Sequence, residues 1–185
     1  IDSASNRTGK PLTGRQMAGL LAHQARVRGG TVEVTAPDGR LLSMERARVE
    51  LEAVAGRPLV LRDQHGANYD DSHLLLVNLA SIDRLAAEHG SALDRRRFRA
   101  NAYLAGLEVD GEYAWLGRSL RLGSAVVAAV KMCERCVMIT IDPDDQSSDP
   151  GILRTLTRTH HALLGVYCKV LTPGVIRLGD SVEVV

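Results

Sequence analysis

Two cysteines stand three apart in "KMCERCVMITIDPDD", residues 131–145, and four of the five residues at 95–99 in "LDRRRFRAN" are arginine. These side chains carry the chemical potential of the sequence. A Cys-x-x-Cys pair can be half a structural zinc site, a redox couple, a buried structural pair, or the support for one reactive thiolate. Structural zinc needs four ligands, and Cys133 and Cys136 form the only such pair here. His160 and His161 follow, but adjacent residues point apart and lack the spacing of a zinc-binding histidine pair. A thioredoxin-like couple opens a helix after a strand, whereas "CVMITID" alternates as a strand that begins at Cys136. Spacing alone therefore favours two buried thiols. Arg135 shifts the balance towards Cys136, because an adjacent cation favours a thiolate. Such a thiolate suits a soft or high-valent thiophilic metal, and equally the carriage of a persulfide sulfur.

In the arginine segment, Arg95 and Arg96 read as solvated loop side chains. A strand through Phe98 puts Arg97 and Arg99 on one face with Asn101, a ledge suited to phosphate or carboxylate. Ser81 and Asp83 lie near a predicted helix start and read as caps. Asp142 and Asp145 flank Pro143 as turn residues or, alternatively, as a proton supply near a metal. His65, His73 and His89 are isolated, which suits packing or the surface. A Gly-rich phosphate loop, a Gly-x-Ser-x-Gly elbow and a His-Glu-x-x-His motif are all absent.

The elements that must position these groups are predominantly strands. The Pro37-Asp38-Gly39 turn predicts a hairpin over 31–44. Ser43 caps a helix that Gly56-Arg57-Pro58 ends, and a short strand follows in "PLVLR". The polar stretch 63–72 separates a first region, 1–64, from a second, 65–185. There "HLLLVN" reads as a buried strand and "LASIDRLAAEHG" as a helix stopped by Gly90. "RFRANAYLAGL" reads as a strand, and two strands meet at Gly123. Asp149-Pro150 opens a helix to about His160, and "LLGVYCKVL", "GVIRLGD" and "SVEVV" close the chain as three strands. Many short strands and about three helices predict a β-rich α+β fold, barrel-like rather than doubly wound.

The 185 residues are 45% hydrophobic but only 3% aromatic, so Leu, Val, Ile and Ala must build the core. A net charge of +1 argues against a polynucleotide partner. No apolar run approaches the roughly eighteen residues of a membrane span. With no visible signal peptide and three cysteines, the expected compartment is a reducing cytoplasm. The chain opens on Ile1 rather than Met, so further residues are expected upstream.

"NLASIDRL", "RFRAN", "CERCVMITIDPD", "GILRTL", "GVYCKV" and "GVIRLGDSVEV", in this order over about 72–185, resemble the MOSC family. The closest resemblance is to amidoxime-reducing components and their bacterial relatives. The stretch 12–40 is similar to the family's N-terminal β-barrel region, and this implies that "LLAHQARV" is strand despite its helical propensity. The resemblance implies a MOSC-type β-barrel with few helices, preceded by part of that N-terminal region. It implies a molybdenum cofactor (molybdopterin) with Cys136 as the molybdenum ligand and Cys133 as a neighbour without a ligand role. Arg99 and Asn101 correspond to the second arginine and the asparagine of the family's "RFRPN", with Ala100 in place of proline. Arg97, Arg135 and Ser81 are further candidates for cofactor contact. The family's lysine and Gly-Asp-Arg-type segment do not occur here and are expected upstream. The implied activity is reduction of an N-hydroxylated or N-oxide-type small molecule, with electrons from a separate ferredoxin, flavin or cytochrome-type protein. The alternatives are a sulfur carrier with a persulfide on Cys136, or a non-catalytic cofactor-binding module.

Overall fold

In the computed structural model, which describes residues 4–5, 13–61 and 71–185, the chain divides into two units. One takes 1–68 with 141–148 and the other 69–140 with 149–185. The 64/65 boundary expected from sequence lies outside the described residues.

The first unit contains β1 (Ala4–Ser5), β2 (Gln24–Arg28), β3 (Thr31–Thr35), β4 (Leu41–Leu42), α1 (Met44–Ala55) and β5 (Val60–Leu61). β2, β3 and β4 form an antiparallel meander, and β1 pairs with β5. Gly39 takes φ +84° in the predicted hairpin turn, where a side chain would be strained. Ser43 accepts the Arg46 N–H at 3.3 Å, and Gly56 closes α1 in the left-handed region. The resemblance implies strand over 20–27; strand begins only at Gln24, and Ala18–Leu20 is a 3₁₀ turn.

The second unit holds β6 (Leu74–Asn78), α2 (Leu79–His89), β7 (Ala102–Leu104), β8 (Ser119–Leu122), β9 (Ala125–Glu134), α3 (Pro150–His160), β10 (Leu163–Thr172) and β11 (Val182–Val184). Its six strands run in the order β11-β8-β9-β10-β6-β7, all antiparallel except β6 with β7, in a curled half-barrel. The predicted α+β class holds. Leu75 and Val77 of β6 face one core, with Ile82, Leu85, Phe98, Cys133, Ile139, Ile152 and Leu156, whereas Leu76 faces another, with Leu120, Val127, Ala129, Val166 and Cys168. Cys133 shares the parity of Val127 and Ala129 and would join their core in a regular strand. Register shifts in the β9–β10 pairing send it to the opposite face instead.

Three segments depart from the strand expectation. Arg95–Phe98 and Val137–Thr140 are single 3₁₀ turns, and 174–180 makes only turns and loop. In the first, the Asp94 carboxylate caps the Arg96 N–H at 2.7 Å and Arg99 takes φ +51°. In the second, β9 loses its partner where β10 begins: the Arg135 N–H still reaches Ala162 O at 2.7 Å, and beyond it the chain bonds to itself. The Ile139 N–H then returns to Cys136 O, and the Thr140 hydroxyl to Val137 O at 2.8 Å. In 174–180 the backbone is held by side chains, Val175 N–H on Ser124 Oγ and Arg177 N–H on Asp180 Oδ2.

Candidate functional site

The arginine and cysteine segments, some thirty-five residues apart, meet in space through two reciprocal arginine contacts. Arg135, from the exit of β9, donates Nη2–H to Phe98 O at 2.6 Å, and Arg97 donates Nη1–H to Thr140 O at 3.0 Å. Each arginine thus donates to the last carbonyl of the other segment's 3₁₀ turn, and Thr140 O also accepts the Asp149 N–H at 2.9 Å. Phe98 is fully buried beneath them, against Cys133 and Ile139, with the Arg135 guanidinium 5.6 Å from its ring centroid.

The guanidinium of Arg135 does not sit as adjacency in sequence implied. Its Nη1–H points to Cys133 Sγ at 3.3 Å, and its Nε–H is buried without a hydrogen bond. At 9% exposure, Arg135 has neutral partners only among the described residues: a thiol, a carbonyl and an aromatic face. Cys133 lies in the core, whereas Cys136 is half-buried at the start of the 137–140 turn, and neither forms a disulfide.

The strand ledge of Arg97, Arg99 and Asn101 is replaced by a different geometry, because these residues flank a turn rather than alternate along a strand. Arg99 is exposed in the left-handed region, and its side chain makes no hydrogen bond to the described residues. Asn101 is pinned to β6: its N–H donates to Leu75 O at 2.9 Å and its Oδ1 accepts Leu75 N–H at 2.8 Å. That pair fixes the start of the parallel β6–β7 ladder and so holds the arginine turn in place.

Ser81 belongs to another constellation. It is fully buried on α2, accepts Asp110 N–H at 3.0 Å and donates to Asp110 Oδ1 at 3.3 Å. The helix cap assigned to Ser81 is made by Asn78, whose Oδ1 accepts Ala80 N–H. Arg84 donates to the other oxygen of Asp110 and lies 3.7 Å from Glu88, which in turn bonds His160 at 2.8 Å and Thr159 at 3.0 Å. His89, expected to be isolated, pairs with Asp149 at 2.9 Å across the α2–α3 contact. Asp142 accepts the N–H groups of Asp144 and Asp145, and Asp145 that of Ser147, as in side-chain turns. Sequence reading missed Arg84, Asp110 and Glu112. An Asp at the end of an irregular loop gives no local sign that a buried guanidinium waits for it.

A curled half-barrel whose strand β9 delivers a half-buried cysteine beside an arginine turn defines the class. The MOSC domain family model matches residues 62–183, and the chain belongs to that family. Mitochondrial amidoxime-reducing component 1 of Mus musculus is 30% identical over 137 residues, 66% of this chain and 40% of that protein. The Homo sapiens protein of the same name is 27% identical over 128 residues, 61% and 37% respectively. The match thus spans about two fifths of the length of these relatives. Among solved structures, the YuaD protein of Bacillus subtilis superposes with a TM-score of 0.53 at 18% identity, covering 66% of this chain and 69% of that one. YiiM of Geobacillus stearothermophilus gives a TM-score of 0.50 at 22% identity, covering 62% and 55%. These two share the fold. Among the described residues, no helix is long and apolar enough to cross a membrane.

Proposed function

We propose that the protein binds the molybdenum cofactor through Cys136 and reduces N-hydroxylated or N-oxide-type small molecules. The observation that carries this reading is Arg135, a nearly buried cation with no carboxylate partner among the described residues, wedged between the arginine and cysteine turns. Such a corner attracts an anionic ligand, because a buried charge is tolerated when it is paired. The donor set fits the cofactor. Cys136 offers one soft sulfur, and no group of three or more His, Cys, Asp or Glu among the described residues is placed to hold a metal. A metal on Cys136 would therefore draw further donors from the organic ligand it arrives with, and Arg97 and Arg99, with Asn101 behind them, would hold that ligand's anionic groups.

When bound, the cofactor supplies two-electron oxygen-atom chemistry. The residues of the chain hold and orient it: Cys136 sets the metal's position at the exit of β9, Arg99 and Arg97 neutralise charge, and the packed wall of Phe98 and Ile139 keeps water from beneath. Ser81, a further candidate, hydrogen-bonds Asp110 through its hydroxyl. A separate ferredoxin, flavin or cytochrome-type protein would deliver the electrons. Three thiols outside any disulfide suit a reducing compartment, the cytoplasm in this reading.

Metal analysis after expression in a molybdenum-replete host tests the proposal. Stoichiometric molybdenum is expected, lost in Cys136→Ser and retained in Cys133→Ser. Metal-free full-length protein overturns it, and a persulfide on Cys136 in such protein would establish the sulfur-carrier alternative instead.

A further inference from the structure

The 3₁₀ turn that follows Cys136 forms one wall of a groove whose other wall is α3. The groove is open to solvent, has a volume of about 490 Å³ and lies within the second unit. That is within the roughly 300–1,000 Å³ of small-molecule sites. Val137, Pro150 and Leu153 give it an apolar floor, and Val137, directly after Cys136, keeps 47% of its surface exposed. Arg154 and Arg158 stand one helical turn apart on the same side of α3 and border the groove. Both are exposed, and neither makes a hydrogen bond or ion pair with the described residues. The acidic groups nearest in the α2–α3 contact are already committed, Asp149 to His89 and Glu88 to His160.

We infer that this groove binds small molecules with an apolar body and a single carboxylate, the body on Val137, Pro150 and Leu153 and the carboxylate on Arg154 and Arg158. An apolar floor without polar partners rejects a wholly polar ion, because its hydration would be lost without replacement. Two guanidinium forks at the rim reward a carboxylate over a neutral amide of the same shape. As a statement about substrate, the inference rests on the reading of Cys136 as the reaction centre: the substrates would be N-hydroxylated compounds whose far end carries a carboxylate. As a statement about binding it stands on the groove alone.

The test titrates the protein with naphthalene-2-carboxylate and, in parallel, with naphthalene-2-carboxamide, followed by backbone amide shifts and calorimetry. Shifts are expected at Val137, Thr140, Leu153 and Thr157, with the acid bound about tenfold more tightly than the amide. Replacing both arginines, Arg154→Gln with Arg158→Gln, brings the acid down to the amide's affinity. Both side chains are exposed, so the melting temperature stays unchanged and unfolding does not imitate the effect. Equal affinities for the two probes, shifts elsewhere, or no binding overturn the inference. Cys136→Ser keeps the two readings apart, since it loses molybdenum while the groove still prefers the acid. For turnover, the double arginine variant raises KM for an N-hydroxylated arene carboxylate and leaves KM for its methyl ester unchanged; an equal effect on both overturns the substrate assignment.

Discussion

Arg84 and Arg135, both in the second unit, have their charges met in opposite ways. Arg84 on α2 meets a carboxylate supplied by the fold: it donates to Asp110 and lies near Glu88, and Asp110 is further tied down by Ser81. Arg135 at the exit of β9 meets no carboxylate among the described residues and leans on Phe98 O, Cys133 Sγ and the Phe98 ring. Around Arg84 the fold closes the charge balance, although Arg84 Nε and Nη2, both Glu112 carboxylate oxygens and the Tyr113 hydroxyl stay buried without hydrogen bonds to the described residues. Around Arg135 that balance is left open among the described residues, and under the proposed function the bound ligand supplies the anion. Desolvation is the reason, since a buried charge is costly until something pairs with it. The comparison separates candidates that sequence had placed side by side, with Ser81 in the closed region and Arg97, Arg99, Asn101 and Cys136 around the open one.

The largest effect is expected from removing the platform of the open region. Phe98→Ala takes away a fully buried ring beneath Arg135 and Cys133 and should cost about 3–5 kcal/mol, read from urea unfolding. The next experiment contrasts the two arginines directly. Asp110→Asn keeps a residue type that tolerates the φ of +60° there, but it leaves Arg84 with only the more distant Glu88 carboxylate, at about 2–3 kcal/mol. Arg135→Met forfeits hydrogen bonds to neutral acceptors and should cost only about 1 kcal/mol, while it lowers molybdenum content severalfold. If Arg135→Met proves the more destabilising of the two and leaves the metal untouched, the distinction between closed and open regions fails.

The smallest effect concerns pH. Burial pushes the Glu112 carboxyl above its usual range; its own backbone N–H and Asn78 pull the other way, and the charge of Asp110 adds to the rise. The folded state therefore holds a proton that the unfolded chain releases above its ordinary value of 4.5, and stability declines as pH rises through that window. Glu112→Gln should flatten the decline in urea midpoint as pH rises above about 4.5. Glu88 has the opposite sign. Burial would raise its carboxyl, but hydrogen bonds from His160 and Thr159 hold it below the usual range. Its contribution is therefore lost as pH falls through that lowered pKa, and Glu88→Gln should weaken the acid limb alone, which the same unfolding series would reveal.

Much of the scaffold was legible because its causes are local. Ser43 and Asp149 stand where helices begin and Gly56 and Gly90 where they end, so most caps read from sequence match caps in space; on α2 the cap is Asn78 and not the expected Ser81 or Asp83. The turns at Gly39 and Gly123 were readable for the same reason, since each needs a positive φ. The site was readable only in part: residue types pointed to the arginine and cysteine segments, but their geometry was misjudged. Alternation in 136–142 and a phenylalanine between arginines both imitate a strand, and periodicity does not reveal whether a partner strand will be present.

By itself, the sequence determined which side chains are available for chemistry, the positions of the three helices and the principal turns, and a β-rich frame without an aromatic core. Those follow from capping, turn chemistry and apolar pattern, which act over a few residues. Tertiary structure alone decided that β9 loses its partner after Glu134, that register shifts carry Cys133 into the core, and that Arg135 turns to Cys133 and Phe98. It also decided that, among the described residues, Arg84 has a carboxylate partner and Arg135 does not. Strand pairing and charge compensation depend on what arrives from elsewhere in the chain, and a local window of sequence contains neither.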